Sequence, residues 1–277
     1  MGGHSTVAIL GAGAIGEALA TGLVKAGWPI GSIVLAARRE ERRREVAEAT
    51  GVRCILDAAE AAAGRDIVVV AVKPNDVGRL LEHLAPTVTS VQVIVSLAAG
   101  VPIAVFERAL GTVPVVRAMP NTPAQIAEGI TALARGTHAS DDHLAKARTV
   151  LEAVGQSVVL DESLLDAVTA VSGTGPAYVF LLAEALCDAA IREGIPRHLA
   201  EKLVERTLRG AGMLLADSDL SPTRLRAQVT SPGGTTAAAV HLLEERGFRA
   251  LVEDAVRAAA ARSREMGQRA ADPGEAP

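Results

Sequence analysis

Short apolar runs alternate with longer amphipathic stretches through the first half of the chain. The apolar runs are rich in valine and isoleucine and too short for helices, so they predict buried strands. These runs are Thr6–Leu10, Ser32–Ala36, Ile67–Val72, Val91–Ser96, Val113–Met119, Gly129–Ala134 and Ser157–Leu160. Helical periodicity between them predicts Ile15–Ala26, Glu40–Thr50 and Asp141–Ala153. The alternation predicts a parallel sheet covered by helices on both faces.

Beyond about residue 162 the strand pattern ends and helical periodicity continues alone. The predicted helices are Ala177–Glu193, Arg197–Ala216, Thr223–Val229, Thr236–Glu245 and Phe248–Ala271. The fold class is therefore α/β, with an N-terminal Rossmann-type doubly wound sheet followed by an all-α domain. We assign residues 1–162 to the first domain and 163–271 to the second, and expect residues 272–277 to form a frayed tail.

Composition narrows the class of protein. Apolar residues make up 49% of the 277 residues and charged residues 22%, as in folded globular proteins. A net charge of −4 and few aromatic residues argue against nucleic-acid binding. The two cysteines form no disulfide framework and the six histidines show no metal-ligand spacing, so we expect no metal and a reducing compartment. No signal sequence or membrane-spanning apolar run is recognised, which predicts a cytoplasmic protein without a membrane partner.

The first predicted strand leads into a glycine-rich turn that opens a helix, Gly11-Ala12-Gly13-Ala14-Ile15-Gly16. This spacing in this context is typical of dinucleotide binding. The first glycine allows the turn, the second lets a pyrophosphate approach the backbone, and the third lets helix pack on strand. We expect Gly11, Gly13, Ala14, Ile15 and Gly16 to contact the cofactor through backbone amides at the helix N-terminus.

The residues after the second strand indicate which nicotinamide cofactor binds. An NAD enzyme usually carries a carboxylate there, whereas this strand is followed by Arg38 and Arg39. Guanidinium groups can bind a 2′-phosphate, so NADP(H) is favoured, with NAD(H) as the alternative. The other interpretation is that one or both arginines begin the solvated helix Glu40–Thr50. For Arg39 the two interpretations have nearly equal weight.

Further strand ends should line the same groove, because ligands bind at the carboxyl edge of open α/β sheets. The expected cofactor contacts there are Ala71, Val72, Lys73, Pro74, Ser96, Ala98, Ala99, Gly100 and Asn121. Lys73 can reach a phosphate, the ribose or the nicotinamide, although an exposed strand-end lysine is the alternative. Asn121 is a candidate for holding the carboxamide, with a turn-forming asparagine as the alternative.

The loop Ser231–Thr236 is the most informative segment of the helical half. Two consecutive glycines, Gly233 and Gly234, precede the predicted helix and leave its backbone amides uncovered by side chains. Such amides at a helix N-terminus form an anion site, which suits a substrate carboxylate. We expect Thr235 or Thr236 to be the helix N-cap. The alternative is a simple helix cap after a flexible loop.

Several segments together resemble the pyrroline-5-carboxylate reductases over nearly the whole chain. They are Ala71–Pro74, Ser96–Val101, Arg117–Pro123, Ser172–Tyr178 and Val229–Thr236. The resemblance implies that Ser231, Gly234 and Thr235 hold the carboxylate and that Thr236 is the catalytic residue, with its hydroxyl against the ring nitrogen. It places Asp219 at a position that is commonly glutamate in the family, and Val229 against the substrate ring. It also implies a homo-oligomer with interlocked helical domains.

The reaction so implied is NADPH-dependent hydride transfer to the C=N bond of 1-pyrroline-5-carboxylate, giving L-proline in the last step of proline biosynthesis. A protonated imine needs little general-acid help. The 3-hydroxyacid and 6-phosphogluconate dehydrogenases are the alternative enzymes, but they typically carry a lysine on the first long helix of the second domain. Ala177–Glu193 contains neither lysine nor histidine. A non-catalytic NADPH-binding protein on the same fold is the third interpretation.

Overall fold

The computed structural model describes residues 5–271, and the predicted frayed tail 272–277 lies outside them. The eight strands are β1 (Val7–Leu10), β2 (Ile33–Ala36), β3 (Cys54–Ile55), β4 (Ile67–Val70), β5 (Val93–Ser96), β6 (Val115–Met119), β7 (Gly129–Arg135) and β8 (Gly155–Val159). The helices of the sheet-containing half are α1 (Ala14–Lys25), α2 (Glu40–Thr50), α3 (Ala58–Ala62), α4 (Val77–Leu84), α5 (Ile103–Leu110), α6 (Asp141–Leu151) and α7 (Leu165–Val168). The predicted α/β class is confirmed, while β3, α3, α4, α5 and α7 were not predicted.

The strands form one sheet in the order β3-β2-β1-β4-β5-β6-β7-β8. Val7 of β1 pairs with Ile33 of β2 on one side and with Ile67 of β4 on the other, both in parallel. The chain therefore changes direction across the sheet between β1 and β4. In doubly wound sheets this switch point opens a crevice at the carboxyl ends of the strands, where ligands bind.

Two strands, β7 and β8, run opposite to β1–β6 and so depart from the predicted parallel sheet. β7 runs antiparallel to β6, with Ala118 opposite Leu133. The link between them holds only a 3-10 turn, Thr122–Ile126, and a parallel return needs a longer crossover. β8 is parallel to β7 because α6 supplies that crossover.

The core lies on both faces of the sheet. All residues of β1, β2, β4 and β5 are buried. Alternate side chains of β1 enter different clusters: Ile9 packs with Leu19 and Leu23 of α1, whereas Leu10 packs with side chains that include Phe106 of α5. Strands buried on both faces explain why they appear in the sequence as continuous apolar runs.

A nearly buried arginine connects the far end of the sheet to later parts of the chain. Arg117 of β6 donates to Glu162 Oε1 at 2.9 Å, and its side chain is only 8% exposed. Glu162 also accepts from the backbone N–H of Ile103 at 2.8 Å, which holds the start of α5. Asp166, 4.0 Å from Arg117, accepts from the hydroxyl of Ser263 at 2.6 Å. These bonds tie β6, α5 and the region of α7 to the C-terminal helix.

The remaining helices are α8 (Gly175–Arg192), α9 (Arg197–Asp217), α10 (Pro222–Gln228), α11 (Thr235–Glu245) and α12 (Phe248–Ala271). Among the described residues, the chain divides into two compact units. One contains the residues up to Thr174 together with those from Ala258 onward, and the other is Gly175–Arg257. The second unit is entirely helical, and α8 and α9 pack against each other within it. The proposed domain division at residue 162 stays a prediction.

The helical segment Glu162–Arg192 is long and apolar enough to cross a membrane, judged by length and composition alone. The expectation that no apolar run reaches this length is therefore wrong by that criterion. The segment is interrupted by a π-helical turn, Thr169–Gly173, before α8 begins. Core helices of soluble proteins pass the same test, so the finding by itself is weak evidence for a membrane. What it establishes is an apolar surface that the single chain leaves exposed, including Phe180 at 61% and Leu181 at 66%.

Candidate active site

The glycine-rich turn lies at the carboxyl end of β1, beside the switch point. The N–H of Gly11 donates to Ala36 O of β2 at 2.9 Å, and the φ angle of Gly11 is +117°. A Cβ at Gly11 would lie 2.5 Å from Ala71 O, and one at Gly16 would overlap Gly11 O. Both glycines are therefore required by the protein's own backbone, which comes this close to form the turn.

Gly13 differs from its two neighbours. A Cβ there would meet nothing within 4 Å, and its φ of −76° suits any residue. Gly13 is exposed and is the N-cap of α1, which has no side-chain cap. The fold does not need this glycine, because the space beside its Cα is open. This fits a dinucleotide whose pyrophosphate approaches the backbone.

Arg42 and Arg43, which belong to the helix interpreted as solvated, donate to backbone carbonyls outside that helix. Arg42 Nε donates to Ala12 O at 2.6 Å, and its guanidinium also pairs with Glu17 of α1 and with Glu45. Hydrogen bonding to Glu45, and also to Glu17, raises the pKa of Arg42 above its ordinary value against the opposing effect of burial. Arg42 thus joins the turn, α1 and α2 in one bonded group.

Arg43 is also largely buried. Its Nη1 donates to Ala37 O at 3.2 Å and to Arg38 O at 3.3 Å, and it pairs with Glu40. It therefore fixes the backbone that presents Arg38 and Arg39. A run of arginines in a helix gave no signal of this role, because the bonds are made to carbonyls of other segments.

Arg38 and Arg39 are both exposed at the end of β2. Arg38 Nη2 donates to Asp76 Oδ2 at 2.9 Å. Arg39 is the N-cap of α2 and, among residues 5–271, has no ion-pair partner within reach. Asp76 was not singled out in the sequence, and nothing in its spacing from Arg38 could have indicated the pair.

The other expected cofactor residues divide by burial. Lys73 is exposed and Pro74 begins a 3-10 turn, Pro74–Asp76, while Ala71 and Val72 are half-buried. Ser96 and Ala98 are buried, and Ala99 is half-buried. Gly100 is buried against the C-terminal helix, where a Cβ would lie 3.2 Å from Met266 Cβ. Packing therefore accounts for glycine at residue 100 without a ligand.

Asn121 has its side chain fixed by one bond. Its Oδ1 accepts from the backbone N–H of Ile130 at 3.0 Å, and the residue is the N-cap of the turn Thr122–Ile126. This bond holds the side-chain amide in one orientation, so that Nδ2 is the atom that can make other contacts. This arrangement is compatible with both interpretations of the residue.

The second candidate segment lies in the helical unit. α11 begins at Thr235 with Gly234 as N-cap and no side-chain capping bond, so the expectation of a threonine N-cap is wrong. The reason is local: Gly234 N donates to Ser231 O at 3.1 Å, and a Cβ at Gly234 would overlap Ser231 Oγ. The turn closes one residue earlier than expected. The two threonine hydroxyls are therefore not used in capping.

The exposure of this segment suits a binding loop. Ser231 and Thr235 are exposed, and Thr236 is half-buried on the first turn of α11. Asp219 and Val229, which precede the loop, are both exposed as well. An exposed apolar Val229 close to a loop with unengaged hydroxyls is a surface suited to a small polar molecule with an apolar ring.

Comparisons with known proteins address both halves of the chain. A family model described as pyrroline-5-carboxylate reductase dimerisation matches residues 162–266, and one described as NADP oxidoreductase, coenzyme F420-dependent, matches residues 6–100. The pyrroline-5-carboxylate reductase of Mycobacterium tuberculosis is 43% identical, covering 95% of this chain and 97% of that protein. This chain belongs to the pyrroline-5-carboxylate reductase family.

Solved structures of pyrroline-5-carboxylate reductases share the fold along nearly the whole length. One from Coxiella burnetii has a TM-score of 0.89 at 34% identity and covers 95% of this chain and 98% of its own. One from Plasmodium falciparum, solved with NADP bound, has a TM-score of 0.85 at 30% identity and covers 96% and 99%. The family resemblance seen in the sequence is confirmed, and the homo-oligomer is supported by the dimerisation domain.

The contrast between Gly13 and Gly16 generates a prediction. Gly13→Ala should fold normally, with a stability change below about 1 kcal/mol, but its methyl group should weaken NADPH binding roughly tenfold or more. Gly16→Ala should destabilise the fold by about 1–3 kcal/mol, because its Cβ overlaps Gly11 O. Thermal unfolding and NADPH titration of each variant measure the two effects.

Gly31→Ala is the matched control, since a Cβ there also meets nothing within 4 Å. It should change neither property appreciably. Equal NADPH affinity in Gly13→Ala and the unaltered protein would contradict the assignment of Gly13 to the pyrophosphate.

Proposed function

We propose that this protein is a pyrroline-5-carboxylate reductase, which reduces 1-pyrroline-5-carboxylate to L-proline with NADPH. The observation that carries the proposal is 43% identity to the Mycobacterium tuberculosis reductase along both halves of the chain. The geometry of Gly13 and the unengaged hydroxyls of the Ser231–Thr236 loop support it. The direct test incubates the protein with NADPH and pyrroline-5-carboxylate, following NADPH absorbance and proline formation. The proposal would be overturned if the protein oxidised NADPH with a carbonyl substrate of the hydroxyacid dehydrogenases but not with pyrroline-5-carboxylate.

The cofactor-binding residues proposed are those of the first unit. Gly11, Gly13, Ala14, Ile15 and Gly16 present backbone amides to the pyrophosphate, and Arg38 and Arg39 bind the 2′-phosphate. The remaining proposed contacts are Ala71, Val72, Lys73, Pro74, Ser96, Ala98, Ala99, Gly100 and Asn121. Bound NADPH supplies the hydride. The chain's task is to orient the nicotinamide and exclude water.

The proposed substrate site is the loop before α11. Backbone and hydroxyl donors of Ser231, Gly234 and Thr235 hold the carboxylate, and Thr236 directs its hydroxyl to the ring nitrogen. Asp219 and Val229 complete the site with a carboxylate and an apolar contact. Hydride adds to the C=N carbon while the electron pair of that bond moves to the nitrogen. A nitrogen that arrives protonated becomes a neutral amine, so positioning is the main requirement.

The assembly proposed here is an interlocked one. The substrate loop of one chain completes the cofactor groove of its partner, and the partner's helices cover the apolar side chains of α8. The exposed Phe180 and Leu181 support this arrangement, since burying them against another copy is favourable. A cytoplasmic location is part of the proposal, supported by two cysteines, Cys54 and Cys187, that are both free.

Arg38→Ala is expected to weaken NADPH binding selectively. Loss of a charge-assisted contact to the 2′-phosphate is worth roughly 1.5–3 kcal/mol, a ten- to hundredfold rise in KM for NADPH. The KM for NADH should change little. Arg44→Ala is the control, because Arg44 is equally exposed and, among residues 5–271, its ion-pair partner is Glu40 on its own helix. Equal use of NADPH and NADH by the unaltered protein would count against the assigned role.

Thr236→Ala is expected to lower kcat/KM for the imine by roughly ten- to hundredfold, the value of one hydrogen bond to a charged group. The melting temperature should not fall, because the hydroxyl does not cap α11. Thr236→Ser retains the hydroxyl and should restore most activity. A Thr236→Ala protein that keeps full activity would remove this residue from the proposed site.

Mixing two defective chains tests the interlocked arrangement. One chain carries Gly13→Asp and the other Thr236→Ala, so each alone has two defective sites. If sites are shared between chains, a mixed dimer contains one fully intact site and regains activity. If each site lies within one chain, mixing restores nothing. Light scattering of the same samples verifies that mixed oligomers have formed.

A further inference from the structure

The ion pair between Arg38 and Asp76 crosses the crevice of the first unit. Arg38 follows β2, whereas Asp76 ends the turn Pro74–Asp76 after β4. These strands flank β1 on opposite sides. Arg38 Nη2 and Asp76 Oδ2 are 2.9 Å apart. The pair therefore spans the carboxyl end of β1, where Gly13 has open space beside it.

Asp76 is not needed to hold the segment that carries Arg38. Arg43 already bonds the backbone carbonyls of Ala37 and Arg38. The Arg38 side chain is 71% exposed and makes a single bond to Asp76, so the carboxylate orients it weakly. What the carboxylate does is occupy one guanidinium N–H and place a negative charge beside it.

The neighbouring arginines do not offer a substitute for Arg38. Arg42 is engaged by Ala12, Glu17 and Glu45, and Arg43 by two carbonyls and Glu40. Within this group of arginines, Arg38 and Arg39 are therefore the two available to a 2′-phosphate at the end of β2. The phosphate carries nearly two negative charges and would meet the Asp76 carboxylate at the same guanidinium.

We propose that Asp76 is a specificity-determining residue that competes with the 2′-phosphate of NADPH for Arg38, so that the ion pair opens when this cofactor binds. NADH lacks the phosphate and leaves the pair in place. Asp76 thus reduces the ratio of the affinity for NADPH to the affinity for NADH. This inference rests on the proposed cofactor site, and the following test is independent of imine reduction.

The test measures the binding of NADPH and NADH to the full chain by titration calorimetry, without imine. Asp76→Asn should tighten NADPH binding up to about fivefold, the range of an exposed ion pair, and leave NADH binding unchanged. 2′-AMP should show the same gain and 5′-AMP none. Asp76 is the N-cap of α4 but makes no capping bond, so asparagine should not disturb the fold.

Two controls isolate the route through Arg38. Asp142→Asn removes the same charge from a pair with Lys146 on α6, 3.0 Å apart, and should leave binding unchanged. In an Arg38→Met background, Asp76→Asn should no longer tighten NADPH binding. A gain that survives in this background would mean direct repulsion without Arg38, and would overturn the proposal.

Weaker NADPH binding in Asp76→Asn would show that the carboxylate orients Arg38, and unchanged binding would show that it has no influence. Either result overturns the proposal. The predicted binding shifts in a protein that fails to reduce the imine would support this inference while contradicting the proposed function.

Discussion

The close approach of the first turn to its neighbours is the constraint on which the rest of the first unit depends. Gly11 lies against the Ala71 carbonyl, and Gly16 of α1 lies against the carbonyl of Gly11. No side chain fits at either contact, so the position of α1 over the sheet is determined by backbone packing. Arg42 adds a bond from α2 to the Ala12 carbonyl, 2.6 Å away. These contacts fix where α1 begins, at a Gly13 N-cap with no side-chain cap and with open space beside it.

A second constraint operates at the other end of the sheet. Burying the guanidinium of Arg117 requires partners, because an unpaired charge in this setting is strongly unfavourable. Glu162 supplies the close partner, and Asp166, held by Ser263, lies beside it. These partners come from chain segments far from β6 in sequence. The arrangement explains why the C-terminal part of α12 belongs to the same compact unit as the sheet.

The sequence predicted what depends on local pattern. Strands buried on both faces produce apolar runs, and the spacing Gly11-x-Gly13-x-x-Gly16 after β1 predicted the turn. β3 was missed because two residues, Cys54 and Ile55, are too short to give periodicity. The antiparallel direction of β7 was missed because it follows from the length of a connection. The threonine N-cap was wrong because the contact between Ser231 and Gly234 closes the turn one residue earlier.

Roles that depend on contacts across the fold could not be predicted in this way. Arg42 and Arg43 belong to an apparently solvated helix, and only the folded chain brings the Ala12 and Arg38 carbonyls to them. Asp76 is 38 positions from Arg38 and carries no motif. In the candidate site, therefore, the glycine spacing identified the turn that begins α1. The ion pair between Arg38 and Asp76 became visible only in three dimensions.

The helical unit differs from the first unit in that many of its large apolar side chains are exposed in the single chain. Phe180, Leu181 and Leu214 are all more than half exposed. At about 25 cal/mol per Å² of apolar surface, covering several such side chains supplies a large driving force for association. The dimerisation domain identifies another copy of the chain as the partner. Stability of this unit should then depend on protein concentration, since folding and assembly are coupled. The exposed loop Ser231–Thr236 belongs to the same compact unit as these apolar side chains, so assembly would order the loop and the helices together.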